Sequence, residues 1–380
     1  MNTNYNVVIV GGGAAGLMLA RELGKFKQKT LVLERKKELL NFSFKTLGSF
    51  INLEEFGLSK NVVAQKIDTI GLYSENVKRT IKTEKIFKED VEIGTYILDK
   101  ELLHKELLES IDKNYVDFKT GVYITDIIKN NEGNYSSVKD KKGNSYSATI
   151  IVDASGTVGV LSKNIGLQSK KVKHATGLEF NVKYKGKPDE AHLFIGKTYK
   201  GGYGWIFPLK NKRAIVGFGT FDNDKIGNLK KEFEEILETP KIKNLVEKDN
   251  NIAEGGSIPL TPVLKKFIDK NLICVGDSVS QVNPIVGEGY KFIFESAIMA
   301  SKAINDALKE NNFQKLCSYE EIWKSRFYKN YVRSKKKQDL LINYSKNDFL
   351  MDLTMFLLNL RPNIKNIKSL SGEYEYNLKK

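Results

Sequence analysis

The run YNVVIVGGGAAGLMLA, residues 5–20, leaves few folds open to this chain. Residues 5–10 are mostly apolar and β-branched, the pattern of a strand buried on both faces of a parallel sheet. A glycine-rich turn follows, and an apolar-periodic helix then continues to about Lys25. Gly11 suits the tight turn, and Gly13 lets the backbone approach a pyrophosphate, with Ala14 and Ala15 opening the helix. Gly16 lets that helix lie close on the strand. The unpaired amides of the helix start then face the phosphates. A second strand, residues 30–33, ends at Glu34 with Arg35 beside it, eighteen residues past Gly16. A carboxylate there accepts hydrogen bonds from an adenosine ribose. Strand, glycines, helix, strand and acid in this order predict a dinucleotide site.

The far end of the chain indicates which dinucleotide. Residues 271–278 (NLICVGDS) read as another buried strand, ending in Gly276 and Asp277. Next come Pro284, Gly287, Glu288 and Gly289 (PIVGEG), and a helix to about Lys309 with Ile293, Ala297, Ala300, Ile304 and Ala307 on one face. A strand-end Asp can hold the sugar-alcohol chain of FAD. A glycine-opened helix start can set its positive end against a flavin ring that becomes negative when reduced. Residues 150–156 (IIVDASG) form a further strand ending in Asp153 and Gly156.

These three motifs, in this order, resemble the FAD-dependent oxidoreductases of the para-hydroxybenzoate hydroxylase fold over nearly the whole chain. The resemblance implies an α/β fold: an FAD-binding Rossmann-type domain with a parallel sheet, an antiparallel-sheet substrate domain and a helical C-terminal region. The expected boundaries are 1–75, 96–165 and 266–323 for the first, 76–95 and 166–265 for the second, and 324–380 for the third. It also implies that Asp277 contacts the ribityl chain. Where the family usually has Arg, in the segment YILDKELL, this chain has Lys100, a point charge without the guanidinium fork.

Within the expected antiparallel sheet lies GGYGWIFPLKNKRAIVGFG, residues 201–219. Tyr203-x-Trp205-x-Phe207-Pro208, followed by Gly217-x-Gly219, is similar to the YxWxFP and GxG elements of the geranylgeranyl reductase family. The period of two puts Tyr203, Trp205 and Phe207 on one strand face. There they either line a slot for a long apolar ligand or fill the core between sheet and flavin domain. Gly217 and Gly219 would leave room for close approach. The resemblance implies reduction of carbon–carbon double bonds in a prenyl lipid or isoprenoid diphosphate, with a proton donor that the sequence does not identify. Flavin halogenases, aromatic hydroxylases and lycopene cyclases are the other enzymes of this fold to weigh, and an electron carrier or lipid-binding module is the non-enzymatic reading. Many reductases have a cysteine in the loop after the second strand, and residues 41–50 (NFSFKTLGSF) have none.

The formal net charge is +15, yet only seven of the 61 basic residues are Arg. Base-edge readout and phosphate forks favour Arg, so nucleic acid is not the expected partner. With one dinucleotide unit, electrons are expected from reduced ferredoxin, which lysines would steer, or from NAD(P)H bound without a second unit. His104, His174 and His192 show no metal-ligand spacing. Cys274 and Cys317 make no disulfide framework, which fits a reducing cytoplasm. A net +8 falls in residues 324–380, where Lys335, Lys336 and Lys337 precede FLMDLTMFLLNL, residues 349–360. That run is too short to span a bilayer. It predicts either a helix packed on the flavin domain or one lying on the inner membrane face beside anionic lipid.

Overall fold

The structure, a computed structural model, describes residues 5–42, 44–83, 86–88, 91–168, 174–199, 201–221, 228–249, 252–259 and 263–374. Among these residues the strands form three sheets. The first is built on β1 (Tyr5–Val10), whose residues 7–10 are buried and flanked on both sides. β1 pairs in parallel with β2 (Thr30–Glu34) on one side and with Ser145–Asp153 on the other. Val116–Thr120 and Leu272–Cys274 extend this parallel sheet at its two edges. Its order therefore reverses at β1, and the crevice at the carboxyl ends of these strands is where such sheets bind ligands. Helix α1 (Ala14–Lys25) and the long helix Tyr290–Lys309 pack together on one face, tied by Gln28 Nε2 donating to Asn305 Oδ1 at 3.2 Å.

The second sheet follows period two closely. On His174–Tyr184, Tyr203–Leu209 and Arg213–Thr220, one side-chain set packs with Phe233 and Ile236 of the helix Leu229–Leu237. The other set faces the first sheet. This second sheet also takes in Thr69–Tyr73 and Lys78–Lys82, so it begins ahead of the expected boundary at residue 76. Thr69–Tyr73 joins by a parallel pairing with Glu190–Phe194, a long-range contact that local patterning does not encode. Local patterning is equally silent on the third, antiparallel sheet, in which Val91–Asp99 pairs with Thr46–Ile51 and Val63–Lys66.

The C-terminal helices Lys329–Tyr344, Asp348–Asn359 and Asn363–Ser371 dock on the body; residues 375–380 of the expected C-terminal region lie outside the described ones. Gln338 Nε2 donates to Pro284 O, and Asn283 Nδ2 donates to Leu370 O at 2.8 Å, which pins the loop before Gly287. Glu373 is buried and accepts from Lys291 Nζ and from both terminal nitrogens of Arg326. Asp348–Asn359 docks through Met351 and Met355, packing on the edge of the second sheet rather than on the flavin-type domain. Phe349, Leu353, Phe356, Leu357 and Leu360 are left exposed. Of the three clustered lysines, Lys335 pairs with Asp339 and Lys337 donates to Ser369, leaving Lys336 exposed.

Arg326 and Lys291 hold the Glu373 carboxyl below the usual carboxylate range, against the opposing effect of burial. The folded-state value is depressed, so this stabilisation is present above 4.5 and lost as pH falls. Glu373→Ala should cost on the order of 3 kcal/mol at pH 7, since it strips a buried acceptor from two cations. Thermal melts of both proteins should show the gap, and it should narrow as the pH is taken below 4.5.

Candidate functional site

The turn after β1 needs its glycines. Gly11 has φ +113°, and a Cβ on it would sit 2.2 Å from Ala154 O. A Cβ on Gly16 would lie 1.9 Å from Gly11 O, so α1 can rest on the turn only with glycine there. Gly13, by contrast, has nothing within 4 Å of where a Cβ would be, and it faces a cavity. No side chain caps α1, which leaves its first amides free at that cavity. Glu34 accepts from Gly12 N at 2.7 Å and from Lys36 N at 2.9 Å, fixing the acid over the turn.

The cavity has a volume of about 580 Å³, within the range of small-molecule sites. An adjoining cleft of about 180 Å³ reaches Gly11, Glu34 and Arg35. The cavity floor holds Ala14, Ala15, Gly156, Asp277, Gly287, Glu288 and Gly289, gathered from three distant parts of the chain. The helix starting at Tyr290 also lacks a capping side chain, so a second set of free amides points in. Lys100 lines the same cavity, with its ammonium 5.5 Å from the Phe42 ring centre and its charge disfavoured by burial. Beside it, His104 shares a 2.8 Å hydrogen bond with Tyr290 and is pushed down to about 3 by burial and by Lys100, so it stays neutral.

The roof is the open face of the second sheet. Tyr203, Trp205 and Phe207 all line it, with ring centres 5.6 Å apart for the first pair and 6.2 Å for the second. Tyr203 also donates to Val286 O at 2.6 Å, tying roof to floor.

Residues 4–330 match the family model described as the FAD binding domain. The chain belongs to that family. It is an FAD-dependent oxidoreductase. It is similar to the digeranylgeranylglycerophospholipid reductase of Methanocaldococcus jannaschii, 27% identical over 368 residues that cover 92% of this chain and 90% of the relative. The enzyme of the same name from Methanococcus aeolicus is 25% identical over 361 residues, covering 92% of this chain and 89% of the relative. In fold, a geranylgeranyl bacteriochlorophyll reductase-like protein from Thermoplasma acidophilum superposes with a TM-score of 0.84 at 23% identity, covering 98% of this chain and 96% of that one. A flavin-dependent brominase superposes at 0.75 with 17% identity, covering 99% and 96%.

The cavity fits FAD. The uncapped start of α1 and Glu34 suit the pyrophosphate and adenosine, and the uncapped start at Tyr290 suits the flavin ring. Asp277 Oδ1 is buried with no hydrogen-bond partner among the described residues, as an acceptor awaiting a hydroxyl would be. Glu288 Oε1 accepts from Ser49 Oγ at 2.6 Å and from Phe50 N at 3.2 Å, while its Oε2 has no partner among the described residues. Burial pushes Asp277 up to about 6 and Glu288 up to about 7.

Five expected site residues lie elsewhere, Gly16 among them, since it packs α1 on the turn. Asp153 does not line the cavity: its carboxylate accepts from Ser155 N and Oγ and from the amides of Leu161 and Ser162. It closes a turn instead of holding a cofactor. Pro284 faces the C-terminal helix through its carbonyl. Gly276 is a packing glycine, with a Cβ position 3.0 Å from Ala15 Cβ. At Gly217 the space of the absent Cβ is filled by the Trp205 indole, 2.0 Å from that position. Gly219 does line the cavity, but the nearest atom to its Cβ position is again from Trp205, at 3.3 Å. Gly217 thus makes room for the ring, while Gly219 borders both the ring and the cavity. Sequence reasoning missed Phe42, Phe44 and Tyr290, which line the cavity, and Glu179 on the roof. Glu179 was legible in part, since LEFNVKY alternates and places the acid opposite its apolar residues.

An acid whose folded value lies above its unfolded one destabilises the fold as pH rises through that interval, here from 3.8 to about 6 for Asp277. Asp277→Asn should therefore raise the melting temperature of the FAD-free protein at pH 8, with the gain fading toward pH 4. The same change should weaken FAD binding about tenfold or more, by losing a charged acceptor. Melting curves and fluorescence titration with FAD check both. Unchanged FAD affinity would remove Asp277 from the cofactor site.

Proposed function

We propose that this flavoprotein reduces isolated carbon–carbon double bonds in the prenyl chains of a lipid or isoprenoid diphosphate. One observation carries the reading. An apolar cavity of about 290 Å³ shares Tyr203 and Val286 with the main site and runs past Leu193 and Leu358 to Leu340 and Tyr344 on the C-terminal helices. Leu340 and Tyr344 are exposed, so the cavity reaches the surface there. A long chain without polar handles suits such a channel, and the two archaeal relatives given above carry the name digeranylgeranylglycerophospholipid reductase.

The chemistry the bound cofactor supplies is delivery of a hydride to one carbon of the double bond. This chain's own part is binding, orientation and dryness. The amides at Gly13, Ala14 and Ala15 would take the pyrophosphate, Glu34 the ribose and Asp277 the ribityl chain. The helix start at Gly287 and Gly289 would face the flavin ring. Trp205 and Phe207 would hold the double bond under the roof and keep water and oxygen away from it. Electrons come, in this reading, from an acidic carrier such as reduced ferredoxin docking on the lysine-rich surface, or from NAD(P)H.

Anaerobically reduced protein, mixed with an unsaturated digeranylgeranyl phospholipid, should yield products heavier by two hydrogens per bond in mass spectrometry. Trp205→Ala should lower kcat/KM about tenfold or more while the flavin absorbance is retained. A product carrying added oxygen, or one of unchanged mass, would replace this reading with a hydroxylase or a cyclase.

Among the described residues no helix is long and apolar enough to cross a membrane. We place the exposed face of Asp348–Asn359 against an anionic bilayer instead. Phe349 is 74% exposed and Leu360 71%, and Lys336, Lys346 and Lys365 are exposed around them. The channel mouth at Leu340 and Tyr344 lies on the neighbouring helix, where a lipid tail could enter directly. The apolar face should dominate binding, because two of the three clustered lysines are already engaged. In sedimentation with anionic liposomes, the double change Phe349→Ser and Phe356→Ser should weaken binding more than Gln at positions 335, 336 and 337. The reverse order would make the attachment electrostatic.

A further inference from the structure

We propose that Glu179 is the proton donor for the second carbon of the double bond, an assignment that rests on the reductase reading above. Saturating an alkene requires a proton as well as a hydride. Several acids line the cavity, but their positions separate them. Asp277 and Glu288 lie on the floor, among the glycines and helix starts that the cofactor would occupy. Tyr203 has its hydroxyl on Val286 O, and Tyr290 has its hydroxyl on His104. Glu179 stands on the roof, on the same strand face as Ala175 and Gly177, with the aromatic wall beside it.

Its side chain is only 4% exposed, and Oε1 has no hydrogen-bond partner among the described residues. The indole Nε1 of Trp205 approaches the carboxyl and favours its charged form, the weakest of the influences on it, without the geometry of a completed hydrogen bond. Two charged groups face Glu179 from neighbouring elements. Glu254 is its cross-strand partner, held by Lys45 at 3.4 Å, and repels negative charge at Glu179. Lys100 attracts it, but more weakly than burial and Glu254 oppose ionisation. The carboxyl is pushed up to about 8, so it keeps its proton at neutral pH. A neutral acid in an apolar roof is what proton transfer to carbon needs.

In the step, the electron pair of the double bond forms a C–H bond with the Glu179 proton as the hydride from reduced flavin forms the other. The alkene is reduced, the flavin is oxidised, and Glu179 is left as carboxylate to recover a proton from solvent.

Glu179→Gln keeps the shape and removes the proton. In the holoenzyme it should leave the FAD spectrum and affinity unchanged and lower kcat for the prenyl phospholipid about 100-fold or more. Glu179→Asp should retain more activity than Gln. Wild-type turnover should fall as pH rises through about 8, and the residual rate of the Gln protein should lack that limb. Infrared spectra should show a protonated-carboxyl band at pH 7 that Glu179→Gln removes, whatever the activity. An active wild type with a Gln variant of equal kcat, or no such band, overturns the proton assignment alone. A wild type that reduces no prenyl double bond overturns the reductase reading and the assignment with it.

Discussion

The contact between Gly16 and the carbonyl of Gly11 sets the geometry on which the rest of the site depends. No Cβ fits at position 16, since it would approach that oxygen to 1.9 Å. Helix α1 can therefore settle onto the turn after β1, with its free amides at the carboxyl edge of the parallel sheet. The strand that follows brings Glu34 back to Gly12 N and closes the unit. Once this edge is fixed, the loop carrying Asp277 and the helix beginning at Tyr290 have one place to arrive. Their sheet strand, Leu272–Cys274, sits two places from β1 across Ser145–Asp153.

Above that edge, the second sheet divides its labour by face. One face is ordinary core, with Phe180, Phe218 and Phe233 stacked or tilted against each other. The other carries the indole of Trp205, accommodated over Gly217, and the buried acid Glu179 beside it. Around one cavity the protein thus holds Asp277, Glu288 and Glu179, carboxyls whose ionisation burial opposes. Each such group costs stability in the folded chain, and the arrangement makes sense where a bound molecule offers hydroxyls or accepts a proton.

The C-terminal helices contribute in a different way. Through Gln338 and the carbonyl of Leu370 they hold the loop that forms part of the floor, and through Glu373 the helix after it, which makes this segment part of the site's scaffold. The same segment leaves a row of large apolar side chains in the open beside the mouth of an apolar channel. Exposed apolar side chains grouped on one helix are what an interaction surface requires, and here they stand beside the mouth of an apolar cavity.

Local chemistry is enough to specify the dinucleotide turn, Glu34, Asp277 and the aromatic strand, because each depends on residue types at fixed short spacings. Period two by itself likewise places Tyr203, Trp205 and Phe207 on one face. The roles of Asp153 and Gly217 are not readable that way. Asp153 ends a strand just as a cofactor ligand would, but the amides that consume its carboxylate belong to a helix folding back over it. Gly217 has the look of space for a ligand, yet cross-strand register puts Trp205 on top of it. Glu179 gains its character from burial, from Glu254 on the adjacent strand and from Lys100 on a distant helix. The sequence by itself determined which backbone turns and strand faces could form. Tertiary structure decided which polar groups are spent on the protein and which are left for chemistry, because that depends on neighbours brought together from far apart in the chain.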